Sequence, residues 1–136
     1  STRARFGETF VKVGLVPGDG GAWVLSRTVG FAHAIELALT GDVIDAQRAL
    51  QIGLVTHVVE PDAMLDHALA IAQRIAANAP LAVQLTRRAF HQAHRQSLAQ
   101  ALETAASYQG MAQRTSDHLE GVAAILEKRA PDFKGE

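Results

Sequence analysis

The chain has 136 residues, enough for one modest domain with its own core, and its 48% hydrophobic and 20% charged residues exclude an intrinsically disordered chain. A formal net charge of −1, from 13 basic and 14 acidic residues, gives no electrostatic reason to expect nucleic acid or an anionic membrane as partner. The absence of cysteine excludes a disulfide framework and any thiolate metal site.

Ser1 to Phe6 has no apolar run behind it, so it is not read as a signal peptide, and no stretch approaches the roughly 20 apolar residues of a membrane span. A reducing cytoplasm suits a chain that needs no cross-links. There is no initiator Met, and the chain begins as though already inside a domain. Phe6, Phe10, Val11, Val13 and Leu15 fall among Gly7, Lys12 and Gly14 and read as short extended structure. Val16-Pro17-Gly18-Asp19-Gly20-Gly21 breaks it. A helix follows through Trp23, Val24, Leu25 and Val29, with Asp19 as its cap, and a second from Ala32 to Leu39 stops at Thr40-Gly41.

Asp45 to Ile52 reads as a short capped helix, and the β-branched run Leu54 to Val59 as a strand. Pro61 opens a long helix with Leu65, Ala68, Leu69, Ala72 and Ile75 on one stripe. After Asn78-Ala79-Pro80 come helices over 81–94 and 98–114, then a last one capped by Ser116 or Asp117 and stopped before Pro131. The chain is thus expected to be mostly α-helical with a few short strands. Two short strands cannot cover so much apolar helix surface, so the missing partner is upstream chain or another subunit.

Three stretches, in order, resemble the enoyl-CoA hydratase/isomerase (crotonase) family. The first is Ala4-Arg5-Phe6-Gly7 followed by Val13-Gly14-Leu15-Val16-Pro17-Gly18-Asp19-Gly20-Gly21. The second is Leu39-Thr40-Gly41 with Ala46, Ala49 and Gly53-Leu54-Val55. The third is Glu120-Gly121-Val122-Ala123-Ala124 with Glu127-Lys128-Arg129 and Pro131-Asp132-Phe133. The resemblance implies an α/β parent built as a ββα spiral, of which this chain is the C-terminal portion. Residues 1–60 would be the end of the spiral core with the active-site loop, and 61–136 a helical trimerisation region giving a homotrimer or dimer of trimers. It also implies acyl-CoA thioester substrates, a thioester enolate held by two backbone N–H groups, and no cofactor, coenzyme A being part of the substrate. Both donors lie upstream of this chain in the family, so the 136 residues alone are expected to be inactive.

The resemblance also frames the candidate residues. Family hydratases carry a second glutamate where Phe10 stands, and Phe10 transfers no proton, so it is a candidate only for acyl binding. Glu8 would share the face of Phe10 if the segment were extended. Asp19 occupies a place where a small neutral residue is usual, while related isomerases often put an aspartate at the place of Gly18. Gly18 and Asp19 therefore mark the candidate catalytic turn. An enclosed carboxylate there would have a raised pKa and could shuttle a proton between carbons; its alternative role is to cap the following helix. Trp23 is a candidate for the acyl pocket or the core. Lys128 matches a lysine that approaches CoA phosphates in the family, or is a solvated helix-end cation.

One acid suits a double-bond shift better than hydration, so an isomerase is expected over a hydratase. A non-enzymatic rival is a truncated or degenerate relative that assembles with other subunits and catalyses nothing. A dinucleotide fingerprint fails, since Trp23 stands at its third glycine and Asp19 would repel a phosphate. His91 and His94 share a helix face without further ligands, so no metal is expected. Arg87, Arg88 and Arg95 read as an exposed polar face.

Overall fold

A computed structural model describes residues 1–136. The chain forms two compact units, Ser1–Ala68 and Leu69–Glu136. In the first, strand β1 (Arg5–Gly7) pairs antiparallel with β2 (Val43–Asp45), Phe6 opposite Ile44. Between them lie helices α1 (Gly21–Thr28) and α2 (Phe31–Thr40), and β2 runs straight into α3 (Ala46–Gln51). Asp45 makes that junction: it ends β2, and its Oδ1 accepts the Arg48 N–H at 2.8 Å to cap α3.

The core of this unit joins Val29, Ala34, Leu37 and Ile52, with Leu25, Ile44 and Leu54 packed against them. Val29 closes α1, while Ala34 and Leu37 share one face of α2 at i,i+3, which is why that helix lies against its predecessor. Gly41 lets α2 stop sharply. Its φ of 62° is left-handed, and its hydrogen side faces Lys12 and Val11, so α2 and the segment after β1 come close there.

Two sequence expectations are corrected. The extended reading of Phe6 to Leu15 holds only to Gly7. Phe10–Val13 is instead a 3-10 turn closed by left-handed Gly14, with the Phe10 carbonyl accepting the Leu15 N–H at 3.0 Å. Leu54 to Val59 is not a strand. The Leu54 and Val55 N–H groups turn back to the Ala49 carbonyl at 2.9 and 3.4 Å, and the Val59 carbonyl accepts only the Thr2 N–H, at 2.9 Å. A β-branched run needs a neighbouring ladder to become a strand, and the donors here are spent on the helix end. The strand that does pair with β1, Val43–Asp45, was hidden between two helix signals.

Helix α4 (Met64–Ala76) follows a 3-10 turn at Pro61–Ala63 and carries the division between the units. In the second unit, Pro80 starts α5 (Pro80–Ala93), where a missing N–H leaves no helix bond unmade. Ser97 caps α6 (Leu98–Ala112) through a reciprocal box with Gln100. The Tyr108 hydroxyl ties α6 to α5 by donating to Gln92 Oε1 at 3.1 Å.

The last helix, α7 (Ser116–Glu127), is capped by Thr115, whose hydroxyl oxygen accepts the His118 N–H at 3.1 Å. Asp117, expected as a possible cap, is only 3% exposed and holds the tail: its two oxygens accept the Lys134 and Gly135 N–H groups at 2.6 and 2.8 Å. Large side chains on these helices remain exposed, among them Leu65, Leu69, Ile75, Leu98, Leu102 and Leu119.

Candidate active site

The site is built by the turn between the 3-10 segment and α1. Asp19 Oδ1 accepts the Gly21 N–H at 2.8 Å, Gly20 adopts φ 90°, and the Trp23 and Val24 N–H groups both bond to the Gly20 carbonyl at 3.0 Å. Asp19 therefore does steady the start of α1, but the N-cap position itself is Gly20. The bond uses one carboxylate oxygen, and the residue stays exposed.

Glu8 reaches the same place. β1 ends at Gly7, so Glu8 and Phe10 do not share a strand face; instead the Glu8 side chain runs to the first turn of α1. A Cβ on Gly21 would collide with the Glu8 carboxylate, its Cδ only 2.9 Å away, and would lie 3.0 Å from Asp19 Oδ1. Glycine at 21 is thus what lets two carboxylates converge on one helix start. Glu8 Oε1 is shielded from solvent and has no hydrogen-bond partner. Burial, and secondarily the charge of Asp19, push the Glu8 carboxyl above the ordinary glutamate value.

Beside these groups lies a small cavity of about 100 Å³ whose walls include Glu8, Gly21, Leu25, Ser26, Phe31 and Ile35, mostly apolar, with Glu8 and Ser26 as the polar side chains. A second, of about 370 Å³, lies against Glu8 together with Arg5, Leu25, Ile44 and Leu54. Acid groups bordering apolar space can exchange protons with a bound hydrocarbon chain while water is largely kept out.

Among the other sequence candidates, Gly18 is exposed with open space where a side chain would go, its nearest neighbour being the Val16 carbonyl at 3.9 Å. Phe10 opens the 3-10 turn, half-buried, and does not wall the cavity at Gly21. Trp23 is 46% exposed in this chain, and the Arg27 guanidinium lies over its ring at 4.0 Å. Lys128, in the other unit, ends α7 in a left-handed conformation with φ 55°, exposed at a helix C-terminus that favours a cation. In the sequence Glu8 stands out only as a neighbour of Phe10; its path to Gly21 depends on where the strand ends, which no local motif marks.

The second unit has a larger groove, about 670 Å³, between the α5 start, α6, α7 and the tail. Its charged groups are already engaged: Asp117 by the tail and Arg129 by Glu120 and Glu127. It offers volume without a free acid, and the chemistry points to the turn at Asp19. No grouping of three His, Asp or Glu could hold a metal ion, and no helix is long and apolar enough to cross a membrane.

Comparison with known proteins agrees with this geometry. Residues 1–136 match the family described as Enoyl-CoA hydratase/isomerase. The chain is 39% identical, over 97% of its length, to a 2,3-dehydroadipyl-CoA hydratase of Escherichia coli, 52% of which is covered. It is 36% identical to a 1,2-epoxyphenylacetyl-CoA isomerase of the same organism, over 97% of this chain and 50% of that protein. Among solved structures, an enoyl-CoA hydratase from Bacillus anthracis matches with a TM-score of 0.95 and 37% identity, over 99% of this chain and 52% of that one. The chain spans about half the length of the relatives it matches, and its fold is the corresponding half of the crotonase fold. From strand β1 through the Asp19 turn to the docked tail, this chain belongs to the enoyl-CoA hydratase/isomerase family.

Proposed function

We propose that the chain is the C-terminal part of an acyl-CoA thioester-processing enzyme that works through a stabilised enolate and shifts a double bond rather than adding water. The observation that carries this reading is Asp19, held by the N–H of Gly21, a residue that walls the mostly apolar cavity. Phe10 stands where a hydratase of this family would carry its second glutamate, and a phenyl ring cannot activate water. Relatives include both a hydratase and an isomerase, so the family alone does not choose between them.

In this reading Asp19 takes a proton from a substrate carbon, and Gly18 to Gly21 form one wall of the thioester pocket. Phe10 and Trp23 border the acyl group, and Lys128 meets the CoA phosphates. Coenzyme A travels with the substrate and no other cofactor is needed. The unit around α5, α6 and α7 supports a homotrimer or dimer of trimers, which the exposed Leu98, Leu102 and Leu119 favour. The same exposed leucines favour the second reading, an assembly module without turnover. The protein works in the cytoplasm.

The test uses the full-length protein on a panel of unsaturated acyl-CoAs, following water addition and double-bond migration together. Migration outpacing hydration is expected, with no turnover by residues 1–136 alone. Asp19→Asn should lower kcat by about 100-fold with the circular dichroism spectrum unchanged. Faster hydration in the parent, or wild-type rates in the variant, defeats the reading.

A further inference from the structure

We propose that Glu8 is a second catalytic residue of this site, acting with Asp19 on an unsaturated acyl thioester whose hydrocarbon end enters the apolar cavity beside Gly21. The inference deepens the enzymatic reading above and rests on it. It is drawn from three placements. Glu8 walls two cavities that also share Leu25 of α1. Its Oε1 is hidden from solvent without a partner, although a buried carboxylate oxygen kept for structure alone would be given one. Gly21 withholds the Cβ that would block it, so the side chain reaches the point on which Asp19 Oδ1 also converges. Burial, and then the charge of Asp19, favour the protonated form of the Glu8 carboxyl.

In the proposed cycle Glu8 starts with the proton, and Asp19, open to solvent, is the base. Asp19 takes a proton from the γ carbon of a 2-enoyl thioester. The electron pair of the broken C–H bond becomes the β,γ double bond, and the α,β pair moves into the enolate. Glu8 then gives its proton to the α carbon, the enolate pair forming the new C–H bond. The substrate becomes its isomer with no atom gained or lost. The two acids keep one proton between them, now on Asp19, and exchange through solvent restores the starting state. The reverse direction runs by the same steps.

The experiment uses the full-length protein with 3-hexenoyl-CoA as probe, in D2O, with deuterium delivery followed by mass spectrometry. Glu8→Gln should lower kcat by about 100-fold while KM stays within about 3-fold, the pattern of a group that acts in the transition state. Gly21→Ala, whose methyl would displace the Glu8 carboxylate, should lower kcat similarly in the native background. It should add little in the Glu8→Gln background, because both changes remove one interaction. Wild-type kcat in Glu8→Gln overturns the proposal. If that variant loses its circular dichroism spectrum, Gly21→Ala decides, and wild-type kcat there overturns it. A parent that adds water instead defeats the double-bond-shift reading alone; Glu8 is then judged by whether Glu8→Gln slows hydration by the same factor. A parent inert towards every unsaturated acyl-CoA overturns both.

Discussion

Replacing Asp117 by Ala tests how the tail is held against α7. Asp117 is 3% exposed, and its oxygens accept the Lys134 N–H at 2.6 Å and the Gly135 N–H at 2.8 Å. Hydrogen bonds to a charged acceptor contribute about 1.5–3 kcal/mol each, and the two here share one carboxylate, so their loss is less than additive. Other ties survive the change: the Asp132 N–H still donates to Glu120 Oε1 at 2.8 Å, and the Ser116 hydroxyl to the Glu136 carbonyl at 2.8 Å. A loss of about 3 kcal/mol in the local opening free energy is therefore expected. At about 1.4 kcal/mol per tenfold, amide hydrogen exchange at Lys134 and Gly135 should speed up by about 100-fold. Asp117→Asn should not rescue it fully, since its NH2 would meet an N–H donor. The assay is site-resolved exchange by NMR, with amides of β1 and β2 as internal controls. Unchanged exchange at Lys134 and Gly135 would refute the clamp.

Two further outcomes follow from the geometry. Glu120 is held down to about 2 by the Arg129 guanidinium and then the Asp132 N–H. The unfolded chain binds the proton more readily, so the stabilisation is present above the ordinary glutamate value of 4.5 and is lost as pH falls through about 2. A carboxyl carbon titration of Glu120 with its midpoint near 4.5 contradicts this; the pair is exposed, and its net contribution at neutral pH is small. Gly41→Ala puts a Cβ at φ 62°, 3.2 Å from Val11 Cγ1 and 3.0 Å from Lys12 Cγ. The left-handed backbone alone costs about 1–2 kcal/mol, so the melting temperature should drop by about 5 °C or more. An unchanged melting temperature removes Gly41 as a required stop.

The helical half of the fold could be read from the chain because its signals are local. The stripe through Leu65, Leu69 and Ile75 and the Pro80 start each mark a helix within a turn of where it lies. The strands could not be read in the same way. Val43–Asp45 pairs through only three residues, and its partner is set by where α2 stops, whereas Leu54 to Val59 had the right composition but no ladder to join. Asp117 reads as a cap in the sequence because an aspartate at a helix start usually is one; a tail returning from residue 132 onward cannot be inferred from that position. At the site, the Asp19 turn was legible from its glycines and from the family resemblance. Glu8 was not, because its role depends on the missing Cβ of Gly21, a contact across thirteen positions of sequence.

The chain contains a single tryptophan, and it sits on the first turn of α1 beneath the Arg27 side chain. Light absorbed at the red edge of the protein spectrum is therefore re-emitted from one spot, beside the turn that carries Asp19. Quenching by the overlying cation and the polarity of the indole's surroundings both change if that turn shifts or fills. The native chain thus carries its own optical probe of the loop, with no dye to attach.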